Sequence, residues 1–369
     1  MKFLLIFIFF FSTFLSAQND SISGNVKSVR EKIILLDSIQ NKELLEFGEE
    51  YGHFGFSKPE LELSQMMSVW YHTASPGYVN YIRNFNESGQ LISEEWFDMR
   101  DSIMYAFKYQ YDKMGNLNQT LESNRGEEFS TVENYKYNHD GLLRTKIRVY
   151  IDSPEYYFYS IYQYDENNNL IQSQDFSEYG ETGGMKYEYD DKGRKIKRLE
   201  WLSFKYEFEN GSWTPKYNNE GSLGYSYSIY EYDESSNLIK EERYKQLDDR
   251  ETYILELTYR YAYENENQIS KSCIEMIDLK LPEQCVIYRY KDKLLKEKDG
   301  HDEKIFYKYV DSYISEIKYE RKIFDKWKKS KVNFQYEFDL KGNWTKQTKI
   351  IDGVPLYVRI RDIKYFENR

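Results

Sequence analysis

Rings and polar residues alternate along much of the chain. Between Tyr105 and Tyr111 every second residue is aromatic, and small or polar residues lie between the rings. The stretch from Tyr253 to Tyr263 alternates in the same way, with tyrosine or leucine in one phase. A period of two is typical of a strand that buries one face. These stretches therefore predict β-strands.

A turn motif follows the first of these strands. It runs Tyr109-Gln-Tyr111-Asp112-Lys-Met-Gly115-Asn116-Leu117. An aspartate can accept hydrogen bonds from backbone amides two residues on, and a glycine or asparagine three residues later tolerates a left-handed backbone. The spacing therefore predicts a type I turn followed by a bulge. Across the copies of the motif, the predicted turn residues are Asp112, Gly115, Asp165, Asp190, Gly193, Asp233, Asp339 and Gly342.

The motif recurs through most of the sequence. Eight copies are centred on Asn86, Asp112, Asn138, Asp165, Asp190, Asp233, Glu264 and Asp339. Three decayed copies near Tyr206, Tyr288 and Tyr307 fill the wider gaps. Eleven hairpins amount to about 22 strands, and a meander of that length must twist. We therefore expect an all-β fold, an antiparallel meander of hairpins of about 25–27 residues that curls into an open shell, spiral or solenoid.

The repeats divide the chain into three parts. Residues 1–17 are a predicted signal peptide, residues 18–80 an N-terminal β segment with a short insertion, and residues 81–369 the hairpin repeats. Within the second part, Gly24–Glu31 is expected to form an opening strand. A last hairpin is expected to start at Trp344.

The predicted signal peptide indicates export. After Lys2, a mostly apolar run of 13 residues, Phe3–Leu15, precedes a small residue for cleavage, Ala17. This run is shorter than the roughly 20 residues of a spanning helix, although an uncleaved N-terminal anchor is the alternative. We expect a location in the periplasm, on the outer cell surface or outside the cell, without stable membrane insertion after cleavage.

Net charge and cysteine content exclude several classes of protein. The chain has 51 basic and 62 acidic side chains, and this negative balance disfavours nucleic acid as a partner. Its two cysteines are too few for a disulfide-rich miniprotein or a multi-cysteine metal cluster. Cys273 and Cys285 would face each other in a hairpin, so a disulfide is expected in an oxidising compartment, with two free thiols as the alternative.

The sequence contains no recognisable catalytic motif. The histidines are far apart in the chain, and phosphate-loop, zinc-protease and serine-hydrolase signatures are absent. Single turn aspartates are better suited to capping a turn than to binding calcium, which needs several carboxylates. We therefore expect a protein that is not an enzyme and has neither a cofactor nor a metal.

Aromatic residues are the remaining candidates for a functional surface. Tyrosine alone accounts for 38 residues. Exposed rings could stack on sugars or on a protein partner, whereas rings packed between hairpins would only stabilise the sheet. The candidate binding residues are Trp201, Trp213, Trp344, Tyr157 and Tyr159. The two edges of an open sheet could in addition allow self-association.

The motif copies resemble the YD-repeat or RHS-repeat family, over roughly residues 80–366. That resemblance implies β-hairpins that wind into a shell. The segment Gly342–Thr345 is also similar to copies in short exported repeat proteins of Bacteroidetes-type bacteria. The chain departs from the large RHS toxins because it contains no Asp-Pro pair and only a few residues follow the last repeat, so we expect neither the core segment nor a toxin domain.

Together these features predict a non-catalytic exported protein with a binding or scaffold role at the cell envelope. The expected partner is a carbohydrate or an envelope protein. The alternative, implied by the resemblance, is a component of an RHS-like interbacterial toxin or immunity system.

Overall fold

A computed structural model describes residues 22–36, 79–98, 100–124, 126–209, 212–217, 224–247, 252–265, 268–323 and 326–367. Within these ranges every regular element is a β-strand. No helix in this part of the chain is long and apolar enough to cross a membrane. The predicted signal peptide lies outside the described residues.

The strands follow one another along the chain. They are β1 (Val26–Leu35), β2 (Asn80–Phe85), β3 (Leu91–Phe97), β4 (Ile103–Tyr111), β5 (Leu117–Asn124), β6 (Thr131–Tyr137), β7 (Leu143–Tyr150), β8 (Ser153–Tyr164), β9 (Leu170–Ser177), β10 (Gly180–Tyr189), β11 (Lys195–Leu202), β12 (Phe204–Glu209), β13 (Ser212–Tyr217), β14 (Gly224–Tyr232), β15 (Leu238–Gln246), β16 (Tyr253–Asn265), β17 (Gln268–Met276), β18 (Gln284–Lys291), β19 (Leu294–Asp299), β20 (Glu303–Val310), β21 (Tyr313–Ile323), β22 (Lys326–Phe338), β23 (Trp344–Ile351) and β24 (Val354–Tyr365). The predicted opening strand and last hairpin are thus confirmed as β1 and as β23 with β24.

The strands form a closed barrel. Twenty-two of them belong to one antiparallel sheet, whereas β12 and β13 pair only with each other, and β11 continues directly to β14. The first strand pairs with both β2 and β24. The all-β prediction is confirmed, but the expected open shell, spiral or solenoid is wrong, because the twist of the sheet brings its last strand back to its first.

Closure changes the expectation of self-association. Pairing of β1 with β24 satisfies the backbone groups that an open sheet would expose at its edges. The large sheet therefore has no free edge. Among the described residues, only the separate β12–β13 hairpin has edge strands. Self-association stays a prediction, but the large sheet does not offer the edges on which that prediction was based.

The turns of the motif repeat one hydrogen-bond pattern. Asp112 Oδ1 accepts hydrogen bonds from the amides of Met114 and Asn116 at 2.8 and 2.9 Å, and Gly115 has a φ of 87°. Gln110 pairs with Gln119 whereas Tyr111 pairs with Leu117, so Asn118 is the extra residue of a bulge in β5. The side chain accepts from the amide four residues on at Asn86, Asp112, Asn138, Asp165, Asp190, Asp233 and Asp339. This is a type I turn with a bulge, as the spacing predicts.

Two decayed copies use a shorter turn. Asp292 and Lys293 both have positive φ values, as do Asp311 and Ser312, so each pair forms a two-residue hairpin turn of type I′. The third decayed copy, near Tyr206, forms the β12–β13 hairpin, which does not belong to the large sheet. The turn after Glu264 includes residues outside the described ranges.

Eight tyrosines near the ends of their strands join neighbouring hairpins. The hydroxyl of Tyr111 donates a hydrogen bond to the carbonyl oxygen of Leu91, at 2.8 Å, in the preceding hairpin. The same contact recurs for Tyr137, Tyr164, Tyr189, Tyr232, Tyr263, Tyr309 and Tyr336, at 2.7 to 2.9 Å. In these eight places a tyrosine hydroxyl therefore fixes a hairpin to the one before it.

Alternation along the strands gives the barrel two different walls. The inner wall includes the buried side chains of Glu31, Tyr81, Trp96 and Phe107. The outer wall of β20–β23 is charged, and there hydrogen bonds from Lys308 and Lys331 lower the pKa of Glu316 to about 2. A strand that faces lipid would present apolar side chains outward. This part of the outer wall has instead the composition of a surface in water.

Candidate binding site on the inner wall

The five predicted ring candidates do not form one surface. Trp344 is buried on the inner wall, 2% exposed, and the guanidinium groups of Arg359 and Arg361 lie 4.7 and 3.6 Å from its ring centroid. Trp213 pairs with Phe208 in the β12–β13 hairpin, and its side chain lies outside the described part of the molecule. Neither position offers a described, accessible ring.

The other three candidates lie on the outer wall. Trp201 is 8% exposed, packs against Gly184 and donates a hydrogen bond from Nε1 to Glu181 at 2.6 Å. Tyr159 contacts the ring of Phe176, with centroids 6.2 Å apart. Tyr157 lies opposite Val149 in the register of β7 and β8. Trp201 and Tyr159 thus take part in packing of the sheet.

A cavity of about 370 Å³ lies on the inner wall of β6, β7 and β8. Its lining residues are Glu133, Lys146, Arg148, Tyr150, Phe158 and Ser160. We call it the inner-wall cavity. Its volume falls in the lower part of the range of small-molecule sites, about 300–1,000 Å³. None of its lining residues was among the predicted binding residues.

Strand register brings these residues to one face. Arg148 pairs with Glu133 on one side and with Phe158 on the other, and Lys146 pairs with Ser160. Directly paired residues of antiparallel strands project from the same side of a sheet. Three neighbouring strands therefore present charges and a ring side by side.

The charges in the inner-wall cavity are paired. Lys146 Nζ lies 2.9 Å from Glu133 Oε1, and Arg148 Nη2 lies 2.6 Å from Glu122 Oε2. Tyr135 donates a further hydrogen bond to Glu133 at 2.5 Å. Both glutamates are buried, which favours these pairs over hydration. These two ion pairs therefore contribute no net charge to the site.

The rings in the inner-wall cavity are open to solvent. Phe158 is 51% exposed and Tyr150 is 39% exposed, although both lie in the barrel wall. Beside them, Ser160 donates a hydrogen bond to Asp175 Oδ1 at 2.6 Å, and Asp175 is exposed. The cavity therefore combines accessible ring faces with hydrogen-bonding groups.

The sequence could not assign Phe158 to this site. Tyr156, Tyr157, Phe158 and Tyr159 are consecutive rings, so both phases of β8 are aromatic and alternation does not reveal which ring points inward. The pairing of Phe158 with Arg148 shows that the ring of Phe158 lies on the inner wall. The only sequence signal was the excess of rings in this segment.

The two cysteines form a disulfide on the outer wall. Cys273 and Cys285 are direct cross-strand partners in β17 and β18. Glu283 lies close to them, with Oε2 3.5 Å from Cys285 Sγ. Metal binding requires thiolates, and the disulfide leaves none here. The turn aspartates are likewise engaged by the backbone, and hydrogen bonds from Asn116 lower the pKa of Asp112.

Comparisons with known proteins leave the family open. No model of a protein family matches the chain, and a search of curated proteins finds no match. A Photorhabdus luminescens Tc holotoxin pore structure is 11% identical with a TM-score of 0.24, and covers 76% of this chain. This chain spans only 19% of that toxin chain.

Two porin-like proteins of Bacteroides are similarly distant. The one from Bacteroides uniformis is 9% identical with a TM-score of 0.27, over 92% of this chain and 98% of its own. The one from Bacteroides vulgatus is 10% identical with a TM-score of 0.26, over 73% of this chain and 97% of its own. The resemblance to YD repeats stays a prediction.

Proposed function

We propose that the chain is a non-catalytic exported protein of the cell envelope that binds its ligand, a carbohydrate or a segment of an envelope protein, in the inner-wall cavity. The observation that carries this proposal is the exposure of Phe158 and Tyr150 beside two buried ion pairs. An exposed ring loses stabilisation that burial would give, and ring-lined concave sites with a few polar groups are typical of binding sites.

The arrangement of charge supports binding without chemistry. Glu133 is engaged by Lys146 and Tyr135, and Glu122 is engaged by Arg148. Glu133 lines the cavity, and a carboxylate held in this way orients a bound molecule through its remaining lone pairs. The predicted signal peptide supports a place in the envelope, and the charged outer wall of β20–β23 supports contact of that part of the barrel with water.

A substitution that fills the cavity tests the proposal for any class of ligand. Ser160→Trp places a large side chain inside the inner-wall cavity, whereas Gln335→Trp places one on the exposed outer wall. Both are prepared in the chain starting at Gln18 and screened against envelope glycans, peptidoglycan fragments and purified envelope proteins. We expect saturable binding that Ser160→Trp abolishes and Gln335→Trp preserves.

Two results would overturn the proposal. One is the absence of saturable binding to every component of the panel by the unmodified chain. The other is turnover of an envelope polymer that a single substitution at Glu133 or Glu122 abolishes, which would make the cavity an active site.

A further inference from the structure

We propose that the inner-wall cavity binds a neutral sugar in preference to a charged one, with Phe158 and Tyr150 stacking on the sugar ring. This inference rests on the proposed function and deepens it by naming the class of ligand. It differs from the ring surface expected from the sequence, because both rings are on the inner wall and neither was a predicted binding residue.

The first reason is the accessibility of the rings. Phe158 and Tyr150 make no contact with another aromatic ring among the described residues, and about half of Phe158 is exposed. The C–H face of a pyranose is apolar and flat, so it can pack on such a ring face, while its hydroxyls remain free to bond elsewhere. Burying the ring supplies part of the binding energy.

The second reason is the supply of polar groups around the rings. Arg148 lines the cavity with a side chain that is 27% exposed, and its Nη2 is engaged by Glu122. Asp175 accepts from Ser160 through one oxygen and has further lone pairs. Sugar hydroxyls both donate and accept, so a site with guanidinium donors and carboxylate acceptors can satisfy them.

The third reason is the charge balance. Lys146 is neutralised by Glu133 and Arg148 by Glu122, and Asp175 adds a negative charge nearby. An anionic sugar would meet no uncompensated cation and would approach the Asp175 carboxylate, where like charges repel. A neutral sugar meets no such penalty. The cavity therefore favours neutral over acidic glycans.

Calorimetry on the full chain from Gln18 tests the inference. The probes are glucan and chitin oligosaccharides, which are neutral, and a galacturonan oligosaccharide of the same length. We expect at least about a tenfold preference for a neutral probe, corresponding to about 1.4 kcal/mol. The affinity for the neutral probe should not change when the salt concentration is raised, because salt screens only interactions between charges.

Variants of one ring separate stacking from a general effect on the barrel. Phe158→Ala should weaken binding of the neutral probe by about tenfold, and Phe158→Trp should preserve it because a ring face remains. Trp327→Ala is the matched control, since Trp327 is 44% exposed on β22, far from the cavity-lining strands in sequence. Thermal unfolding of each variant verifies that the barrel is folded.

The outcomes distinguish this inference from the proposed function. Equal or tighter binding of the galacturonan, unchanged neutral affinity in Phe158→Ala, or no binding of any sugar would each overturn the inference. If an envelope protein still binds and Ser160→Trp still abolishes that binding, the proposed function stands. Loss of all binding partners in the panel would overturn both.

Discussion

Glu31 and Arg361 are separated by 330 positions in sequence, and their side chains meet at 2.9 Å across the seam where β1 pairs with β24. Arg359 contacts the other oxygen of the same carboxylate at 2.5 Å, and Tyr81 donates a further hydrogen bond to it. Glu31 is fully buried. One carboxylate thus joins both ends of the described chain.

The environment of Glu31 makes the barrel sensitive to acid. Burial alone would raise the pKa of Glu31, but the guanidinium groups of Arg359 and Arg361 hold it at about 2, below the ordinary 4.5. A lowered folded-state pKa stabilises the fold above the unfolded pKa. This contribution is therefore present above about pH 4.5 and is lost as the pH falls towards 2.

Glu31→Gln should remove this stabilisation. It deletes the negative charge between two buried guanidinium groups, and breaking a buried ion pair costs about 3–5 kcal/mol. Urea unfolding at pH 7 and pH 3 measures the free energy of unfolding. We expect the variant to be less stable at pH 7 and to differ less from the unmodified chain at pH 3.

An exposed ion pair provides the control for this prediction. Glu337→Gln removes a carboxylate that is 65% exposed and 2.7 Å from Lys346. Exposed ion pairs of this kind contribute about 0–1 kcal/mol to the free energy of unfolding. Equal destabilisation by the two substitutions would show that the seam is not held by Glu31.

The turns of the hairpins could be predicted from local sequence, whereas the pairing of β1 with β24 could not. The turn at Asp112 follows from residues within four positions of it, because the side chain bonds the amides of Met114 and Asn116. The pairing of β1 with β24 has no local signal. A meander closes into a barrel only if the twist accumulated over all of its strands brings the last strand back to the first. The motif of a single hairpin does not encode this total twist.

Faces of strands were predictable where one phase was clearly polar. In β4, Phe107 and Tyr109 alternate with Lys108 and Gln110, and the rings lie inward. In β8 both phases are aromatic, so the inward position of Phe158 follows only from its register with Arg148. The cavity therefore depends on tertiary pairing, which alternation does not reveal.

Tyr111→Phe tests the contacts between hairpins. The substitution removes the hydroxyl that donates to the carbonyl oxygen of Leu91 and keeps the ring. A hydrogen bond of this kind contributes about 1 kcal/mol, so we expect a loss of that order in the free energy of unfolding. Tyr162→Phe is the matched control, because its hydroxyl makes no hydrogen bond among the described residues. A larger loss in the control would contradict this role of Tyr111.

The disulfide should stabilise the barrel moderately. Cys273 and Cys285 are 12 positions apart, and a loop of that size removes unfolded-state entropy equivalent to about 3 kcal/mol. The double variant Cys273→Ala with Cys285→Ala should unfold at a lower temperature. Dithiothreitol should destabilise the unmodified chain to a similar extent and leave the variant unchanged. An effect of the reductant on the variant would show that it acts elsewhere.

Gly184→Ala tests the close contact between β9, β10 and β11. A Cβ at Gly184 would lie 2.4 Å from the carbonyl oxygen of Ser173 and 2.5 Å from the ring of Trp201, so backbone or indole must move. Such overpacking costs about 1–3 kcal/mol.

Gly141→Ala is the comparison for backbone strain alone, since its φ is 77° but no atom lies within 4 Å of the added carbon. Tryptophan fluorescence during urea unfolding should show a changed native signal only for Gly184→Ala, because only there does Trp201 shift. An unchanged native spectrum together with unchanged stability in Gly184→Ala would mean that β10 and β11 are not packed this closely.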